Sequence, residues 1–146
     1  MENSATLHQV LIIDDDQLLR DFAVHAIEYG MNRKVLTYES GFQAWQFINT
    51  NPDQVNIIIA DANIPDMNGL ELLERVKRHY PHKPFILMAG DPKAEPQAKE
   101  LGADAFIFKP FDANVLFTIV KQFGDRPEPP TDAIVTALDS KRNTSV

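Results

Sequence analysis

A chain of 146 residues, 44% apolar and 24% charged, is one domain's worth of ordinary globular protein, with material for a single sizeable core. It has no cysteine, which excludes disulfides, thiolate metal sites and cysteine nucleophiles and suits a cytoplasmic protein. A net charge of -7 argues against a nucleic-acid binder; no apolar run is long enough for a membrane span, and Met1 to Leu7 lacks the regions of a signal peptide.

The first predicted strand is Gln9 to Ile13, and it runs straight into Asp14, Asp15 and Asp16. An apolar run of this kind reads as a strand buried on both faces. Buried carboxylates are costly unless neutralised. The three acids must therefore emerge at the strand's carboxyl edge, where solvent or a cation reaches them. Asp14 and Asp15 together read as hard oxygen ligands for magnesium. Asp16, ahead of Gln17-Leu18-Leu19, reads as the N-cap of the next helix.

That helix shows Leu18, Leu19, Phe22, Ala23, Ala26 and Ile27 at helical spacing and is predicted to stop at Gly30, a C-terminal cap. Lys34 to Tyr38 reads as an edge strand, and a helix from about Gly41 to Asn49 follows, with Trp45 assigned to the core. Val55 to Ala60 is another continuous apolar run, ending at Asp61. Leu70 to Tyr80 is helical, with Leu70, Leu73 and Val76 on one face. Pro84 to Ala89 and Ala105 to Phe108 are two more buried strands, separated by a Pro-interrupted helix near Lys93 to Leu101. Asp112 caps a final helix through Phe123.

Five βα units in order imply an α/β fold: a five-stranded parallel sheet, doubly wound, with helices on both faces. The folded domain spans 9–124, after a short lead over 1–8. From Gly124 the character changes, because Arg126-Pro127-Glu128-Pro129-Pro130 cannot continue a helix. Residues 125–146 read as a flexible tail, with a short docking helix over Ala133 to Leu138 as the alternative. The four histidines, His8, His25, His79 and His82, fall at no useful mutual spacing and are treated as surface or helix residues.

In an open parallel sheet, ligands bind beyond the carboxyl ends of the strands. That rule gathers Asp14, Asp15, Asp61, Ala89 and Lys109 at one edge. A lysine among carboxylates reads either as a structural ion pair or as a phosphate ligand.

Four segments, in this order and spacing, resemble the receiver domain of two-component response regulators. They are Ile12-Ile13-Asp14-Asp15-Asp16, then Ile59-Ala60-Asp61-Ala62-Asn63-Ile64-Pro65-Asp66-Met67-Asn68-Gly69, then Leu101-Gly102-Ala103-Asp104-Ala105, and Phe108-Lys109-Pro110-Phe111. The match covers roughly Gln9 to Phe123 and implies a flavodoxin-like fold. By that resemblance Asp61 is the phosphoacceptor. Asp14 and Asp15 match the acidic pair that holds Mg²⁺, and Asn63 matches the residue that offers the ion its backbone carbonyl. Lys109 matches the lysine that pairs with the acceptor or its phosphoryl group, and Pro110 the proline after a cis bond. The chemistry is coherent: a carboxylate attacking a phosphoryl group needs its repulsion with the incoming oxygens screened by positive charge.

The departure is at Ala89, where the family usually has Thr or Ser; alanine has no hydroxyl to donate to a phosphoryl oxygen. Such a bond to a charged acceptor is worth about 1.5–3 kcal/mol, so the expectation is a phosphorylatable Asp61 with a weakened or rewired switch. Phe106 matches the aromatic switch position, with a fixed core phenylalanine as its bland alternative.

The resemblance implies a stand-alone, chemotaxis-regulator-like receiver. It would take its phosphoryl group from a histidine kinase or phosphotransfer protein and signal by binding another protein, with a homodimer through the helix 4–strand 5–helix 5 face as a further option. It would be a phosphoacceptor rather than an enzyme, with self-catalysed phosphorylation and dephosphorylation as an adjunct. A degenerate receiver acting as a phosphorylation-independent interaction module is the alternative, supported by Ala89. Asp14-x-Asp16 also superficially resembles the nucleophile motif of haloacid-dehalogenase-like phosphatases. That comparison leaves Asp61 to Gly69 unexplained.

Overall fold

The computed structural model of the chain describes residues 9–124; the predicted lead (1–8) and tail (125–146), with its alternative docking helix, lie outside them. Among the described residues five strands alternate with five helices. They are β1 (Gln9–Ile13), α1 (Gln17–Met31), β2 (Lys34–Tyr38), α2 (Gly41–Thr50), β3 (Ile57–Asp61), α3 (Gly69–His79), β4 (Phe85–Ala89), α4 (Ala94–Glu100), β5 (Ala105–Phe108) and α5 (Ala113–Ile119). A 3₁₀ turn (Pro52–Gln54) follows α2, and a π turn (Val120–Gly124) extends α5. None of these helices is long and apolar enough to cross a membrane.

The sheet is parallel throughout, in the order β2-β1-β3-β4-β5. Every residue of β1, β3 and β4 is buried, which is why these strands read as unbroken apolar runs rather than alternating ones. Alternate side chains still divide between two cores. Leu11, Ile13, Ile58, Ala60, Phe85 and Leu87 pack under α2, α3 and α4 through Ala44, Trp45, Ile48, Leu72, Leu73, Val76 and Ala98. Val10, Ile12, Ile57, Ile59, Ile86 and Met88 pack under α1 and α5 through Ala23, Ile27, Leu116 and Ile119. Each large side chain so buried contributes about 1.5–3 kcal/mol, and the two layers together clamp the sheet on which the site is built.

Most predicted element bounds agree with the structure to within two residues, but three details differ. Helix α1 does not stop at Gly30. It runs to Met31, and Asn32 caps it in the left-handed region (φ 57), its N–H donating to the carbonyls of Glu28 and Ile27; asparagine tolerates that conformation through its short polar side chain. Gly30 serves packing instead: a Cβ there would lie 2.8 Å from Cζ of the Phe117 ring on α5. On α3 the deeply buried residues are Leu72, Leu73 and Val76, while Leu70 is half-buried. The last helix ends in the π turn, and its terminal carbonyl at Gly124 is held by Asn56 and Arg33, which precede β3 and β2 at the sheet's amino edge. Pro96 sits in the first turn of α4, where a missing N–H costs nothing.

Candidate functional site

The order in which strands are added to the sheet reverses between β1 and β3: β2 lies to one side, β4 and β5 to the other. The carboxyl ends of strands beside such a point are where open α/β sheets bind ligands. Asp14 directly follows β1, Asp61 closes β3, Ala89 closes β4 and Lys109 follows β5. Hydrogen bonds between neighbouring strand ends continue the ladder past the strands themselves. Asp14 N donates to Tyr38 O (3.0 Å), Ala62 N to Met88 O (2.8 Å) and Lys109 N to Ala89 O (2.9 Å). The functional side chains are therefore aimed by the sheet.

The arrangement brings together residues that are nearly a hundred positions apart. Lys109 Nζ lies 2.8 Å from Asp14 Oδ2 and 2.9 Å from Asp61 Oδ1. Asp14 is 1% exposed and Asp61 6%, whereas Asp15 faces solvent. One carboxylate oxygen from each of Asp14, Asp15 and Asp61 lies within 4.8 Å of the other two. Asp14 Oδ1 accepts from Asp16 N at 2.9 Å, and Asp61 Oδ2 accepts from Asn63 N at 3.2 Å. Asp16 caps α1 as predicted, accepting from Leu18 N at 3.0 Å.

Electrostatics follow from one ammonium serving two carboxylates. Burial pushes the Asp61 carboxyl above its ordinary value, and the neighbouring charge of Asp14 pushes the same way; the Lys109 and Asn63 hydrogen bonds offset this only in part. Burial also works against the Lys109 charge, but its bonds to Asp14 and then Asp61 outweigh that, and its pKa is raised. The donor set fits a magnesium ion. It is all oxygen, it carries few carboxylates, and Asp15 opens it to solvent for water ligands.

Ala89 is 2% exposed and belongs to the core layer under α2, α3 and α4, against which Phe106 packs half-buried. Its methyl brings no hydroxyl to the carboxyl edge. Phe106 stands edge-on to Phe108 with centroids 4.8 Å apart, and Phe108 is 48% exposed. Asp91 receives Lys93 N at 2.9 Å, which fixes the turn into α4. The Lys109–Pro110 bond is cis, as the resemblance implied. His25, His79 and His82 are exposed.

Two residues that the sequence did not single out belong to the site's framework. Arg20, on the first turns of α1, donates from Nη1 to Asp14 O at 2.7 Å and so fixes the acidic loop. Its spacing from the predicted cap Asp16 places it one helical turn in, a signal that the sequence carried and that points it back toward the acidic loop. Asp66, in the loop after β3, reaches the start of α2. No local pattern announces that contact, because it joins segments about 25 residues apart.

A doubly wound parallel sheet with an acidic, lysine-braced pocket at its carboxyl edge defines a class, the phosphoacceptor receiver domain of signalling proteins. The family profile described as "Response regulator receiver domain" matches residues 10–121, and the chain belongs to that family. It is 34% identical over 112 residues to the "Chemotaxis protein CheY homolog" of Campylobacter jejuni, covering 74% of this chain and 85% of that protein. Over the same length it is 32% identical to "Chemotaxis protein CheY1" of Helicobacter pylori, covering 74% of this chain and 90% of that one. Among solved structures, a putative response regulator from Chloroflexus aurantiacus superposes with a TM-score of 0.75 at 29% identity, covering 82% of this chain and 98% of that one. A CheY-like receiver domain protein from Methanospirillum hungatei gives 0.72 at 27%, with 80% and 93% covered.

Proposed function

We propose that this protein accepts a phosphoryl group on Asp61 from the phosphohistidine of a histidine kinase or phosphotransfer protein, and signals through protein–protein contact. In that transfer the P–N bond to the donor imidazole breaks and a P–O bond to the Asp61 carboxylate forms; the released imidazole nitrogen takes up a proton from solvent. The observation that supports this reading is the convergence of three carboxylates within 4.8 Å with an ammonium 2.9 Å from Asp61.

Asp14, Asp15, Asp61 and the Asn63 carbonyl are the residues that would hold Mg²⁺. The ion, when bound, supplies positive charge against the phosphoryl oxygens. Lys109 contributes a second positive charge from the β5 side. Its Nζ is already within hydrogen-bond reach of the acceptor oxygen, so little reorganisation is needed to follow charge onto the phosphoryl group. Asn63 N holds the other Asp61 oxygen and fixes the carboxylate plane. An output partner, or a second copy of the chain, is assigned to the face of α4, β5 and α5, where Phe108 is exposed.

The test is intact mass after incubation with acetyl phosphate and Mg²⁺, with an Asp61→Asn variant and EDTA as controls. Gain of one phosphoryl group that both controls abolish is the expected result. The buried methyl of Ala89 favours one second reading, a phosphorylation-independent interaction module. Absence of any mass gain, under conditions that label another receiver domain, would leave that module as the function.

A further inference from the structure

We propose that Asp66 is a positioning residue for the Asp61 reaction, its carboxylate anchoring the loop that carries Asn63 to the first turn of α2. This rests on the reading of Asp61 as phosphoacceptor and of Asn63 as a carbonyl ligand of Mg²⁺. The loop between β3 and α3 is fixed at its near side by Asn63 N on Asp61 Oδ2 (3.2 Å) and by Gly69 N on Ala62 O (3.0 Å). Its far side is held by Asp66. Oδ2 accepts from Ser40 Oγ at 2.6 Å. Oδ1 accepts from Gly41 N at 3.1 Å, from Phe42 N at 3.3 Å and from the adjacent Met67 N.

The N–H groups of a helix's first turn have no intrahelical acceptors. A carboxylate supplied from another segment satisfies them with charge-assisted bonds and sits at the positive end of the helix dipole. Ser40 makes the junction reciprocal: it caps α2 by accepting from Gln43 N at 3.1 Å while donating to Asp66. Backbone packing at the same point is close, since a Cβ on Gly41 would overlap the Met67 carbonyl oxygen. Ile64 and Met67 are buried on either side, each 5% exposed.

Asp66 holds a left-handed backbone (φ 64) that strains a residue with a Cβ. Glycine would relieve that strain and lose every side-chain bond. Between the two anchors only the stretch around Asn63 is left to present a carbonyl. Loss of the far anchor requires that stretch to be ordered by the metal itself, at the expense of affinity.

The experiment measures the Mg²⁺ dissociation constant of the full chain by isothermal titration calorimetry and its initial rate of phosphorylation by acetyl phosphate. Asp66→Gly removes the carboxylate while keeping the left-handed backbone easy. Asp66→Asn keeps a side-chain oxygen acceptor and the same backbone tolerance. We expect Asp66→Gly to weaken Mg²⁺ binding about tenfold and to slow phosphorylation at low Mg²⁺, with recovery at saturating Mg²⁺. Asp66→Asn should stay close to wild type on both. A merely stabilising role would lower the melting temperature without a Mg²⁺-dependent, Asn-rescued rate. Equal Mg²⁺ affinity in wild type and Asp66→Gly overturns the proposal, as does an Asp66→Asn variant as impaired as Asp66→Gly. A wild-type chain that binds Mg²⁺ but gains no phosphoryl group sinks the phosphoacceptor reading instead, and the Mg²⁺ affinities still decide for or against Asp66.

Discussion

Lys109 Nζ lies 2.9 Å from Asp61 Oδ1, yet the Asp61 carboxyl binds its proton more tightly than an ordinary aspartate. The ammonium is shared with Asp14, 2.8 Å away and almost fully buried. Two carboxylates therefore draw on one cation at the end of a buried strand pair. The pocket is electrostatically unsatisfied in the direction of more positive charge, which favours a cation there before any anionic group can enter.

Replacing Asp61 by Asn should stabilise the metal-free protein at neutral pH. A carboxyl whose pKa is raised on folding favours the folded state while protonated. That contribution is present below the unfolded value, 3.8, and is lost as pH rises through the folded value. The Asn variant has no such loss. Urea unfolding in EDTA should show Asp61→Asn more stable than wild type by about 1 kcal/mol at pH 7, with the gap closing toward pH 3.5. A variant no more stable than wild type at pH 7 would remove the electrostatic account of the pocket.

Removing the ammonium tests the same balance from the other side. Lys109→Ala leaves Asp14 and Asp61 buried without their counter-charge, which costs about 3–5 kcal/mol for a fully buried pair. Lys109 is 24% exposed, so about 2 kcal/mol is expected here. The raised Lys109 pKa gives the pH window. Its stabilisation is full below the unfolded value, 10.5, and disappears as pH climbs through the folded one. Saturating Mg²⁺ should restore part of the loss by mass action. The Mg²⁺-induced rise in melting temperature should thus be larger in Lys109→Ala than in wild type. Phosphorylation of the variant should nonetheless slow by about tenfold or more, since Mg²⁺ does not replace the charge on the β5 side. An equal thermal response to Mg²⁺ in both proteins would contradict competition between the cation and Lys109.

Much of this was legible in the sequence, and the reason is burial. β1, β3 and β4 are covered on both faces, so their runs stand out, and a carboxylate at the end of such a run has one sensible location. Asp14, Asp61 and Lys109 converge because parallel strands place all their carboxyl ends at one edge. What escaped notice depends on tertiary contact. Gly30 looked like a cap, but it lies inside α1 and faces the Phe117 ring of α5. Asp66 lay in a recognised loop, but its acceptors' donors are on Ser40, Gly41 and Phe42. Arg20 escaped notice because its partner, the Asp14 carbonyl, is a backbone group that no sequence pattern marks.

Two glycines on helices give a contrast that only the fold explains. Alanine in a helix gains about 1 kcal/mol of propensity over glycine. At Gly30 that gain is opposed by the half-buried Phe117 ring, a side chain that can swing aside. The net effect of Gly30→Ala on unfolding free energy should be within about 1 kcal/mol of zero. At Gly41 the obstacle is the backbone carbonyl of Met67, in a loop held by Asp66. Gly41→Ala should cost about 2 kcal/mol. Denaturant unfolding of both variants tests the ranking, and a Gly41→Ala variant as stable as Gly30→Ala would overturn it.

Ala89 closes β4 with a buried methyl, 2% exposed, while a Cβ built on the next residue, Gly90, would meet nothing within 4 Å. The hydroxyl that the family usually carries at this position is therefore missing here, while the backbone beyond it at Gly90 is unobstructed. A hydrogen bond from that position to a charged phosphoryl oxygen is worth about 1.5–3 kcal/mol, or roughly ten- to a hundredfold in a two-state equilibrium. Ala89→Thr should leave Mg²⁺ affinity unchanged, because no metal ligand is touched, and should leave Asp61 phosphorylatable. It should enlarge the phosphorylation-dependent change in amide hydrogen exchange across Gly90 to Phe108, which in the wild-type chain should be small. With only a methyl at Ala89, the half-buried Phe106 ring should stay in place on phosphorylation, since nothing at that position couples it to the phosphoryl group. Should wild type and Ala89→Thr show the same exchange change on phosphorylation, the switch does not depend on a hydroxyl at this position, and Gly90 N–H becomes the group to test next.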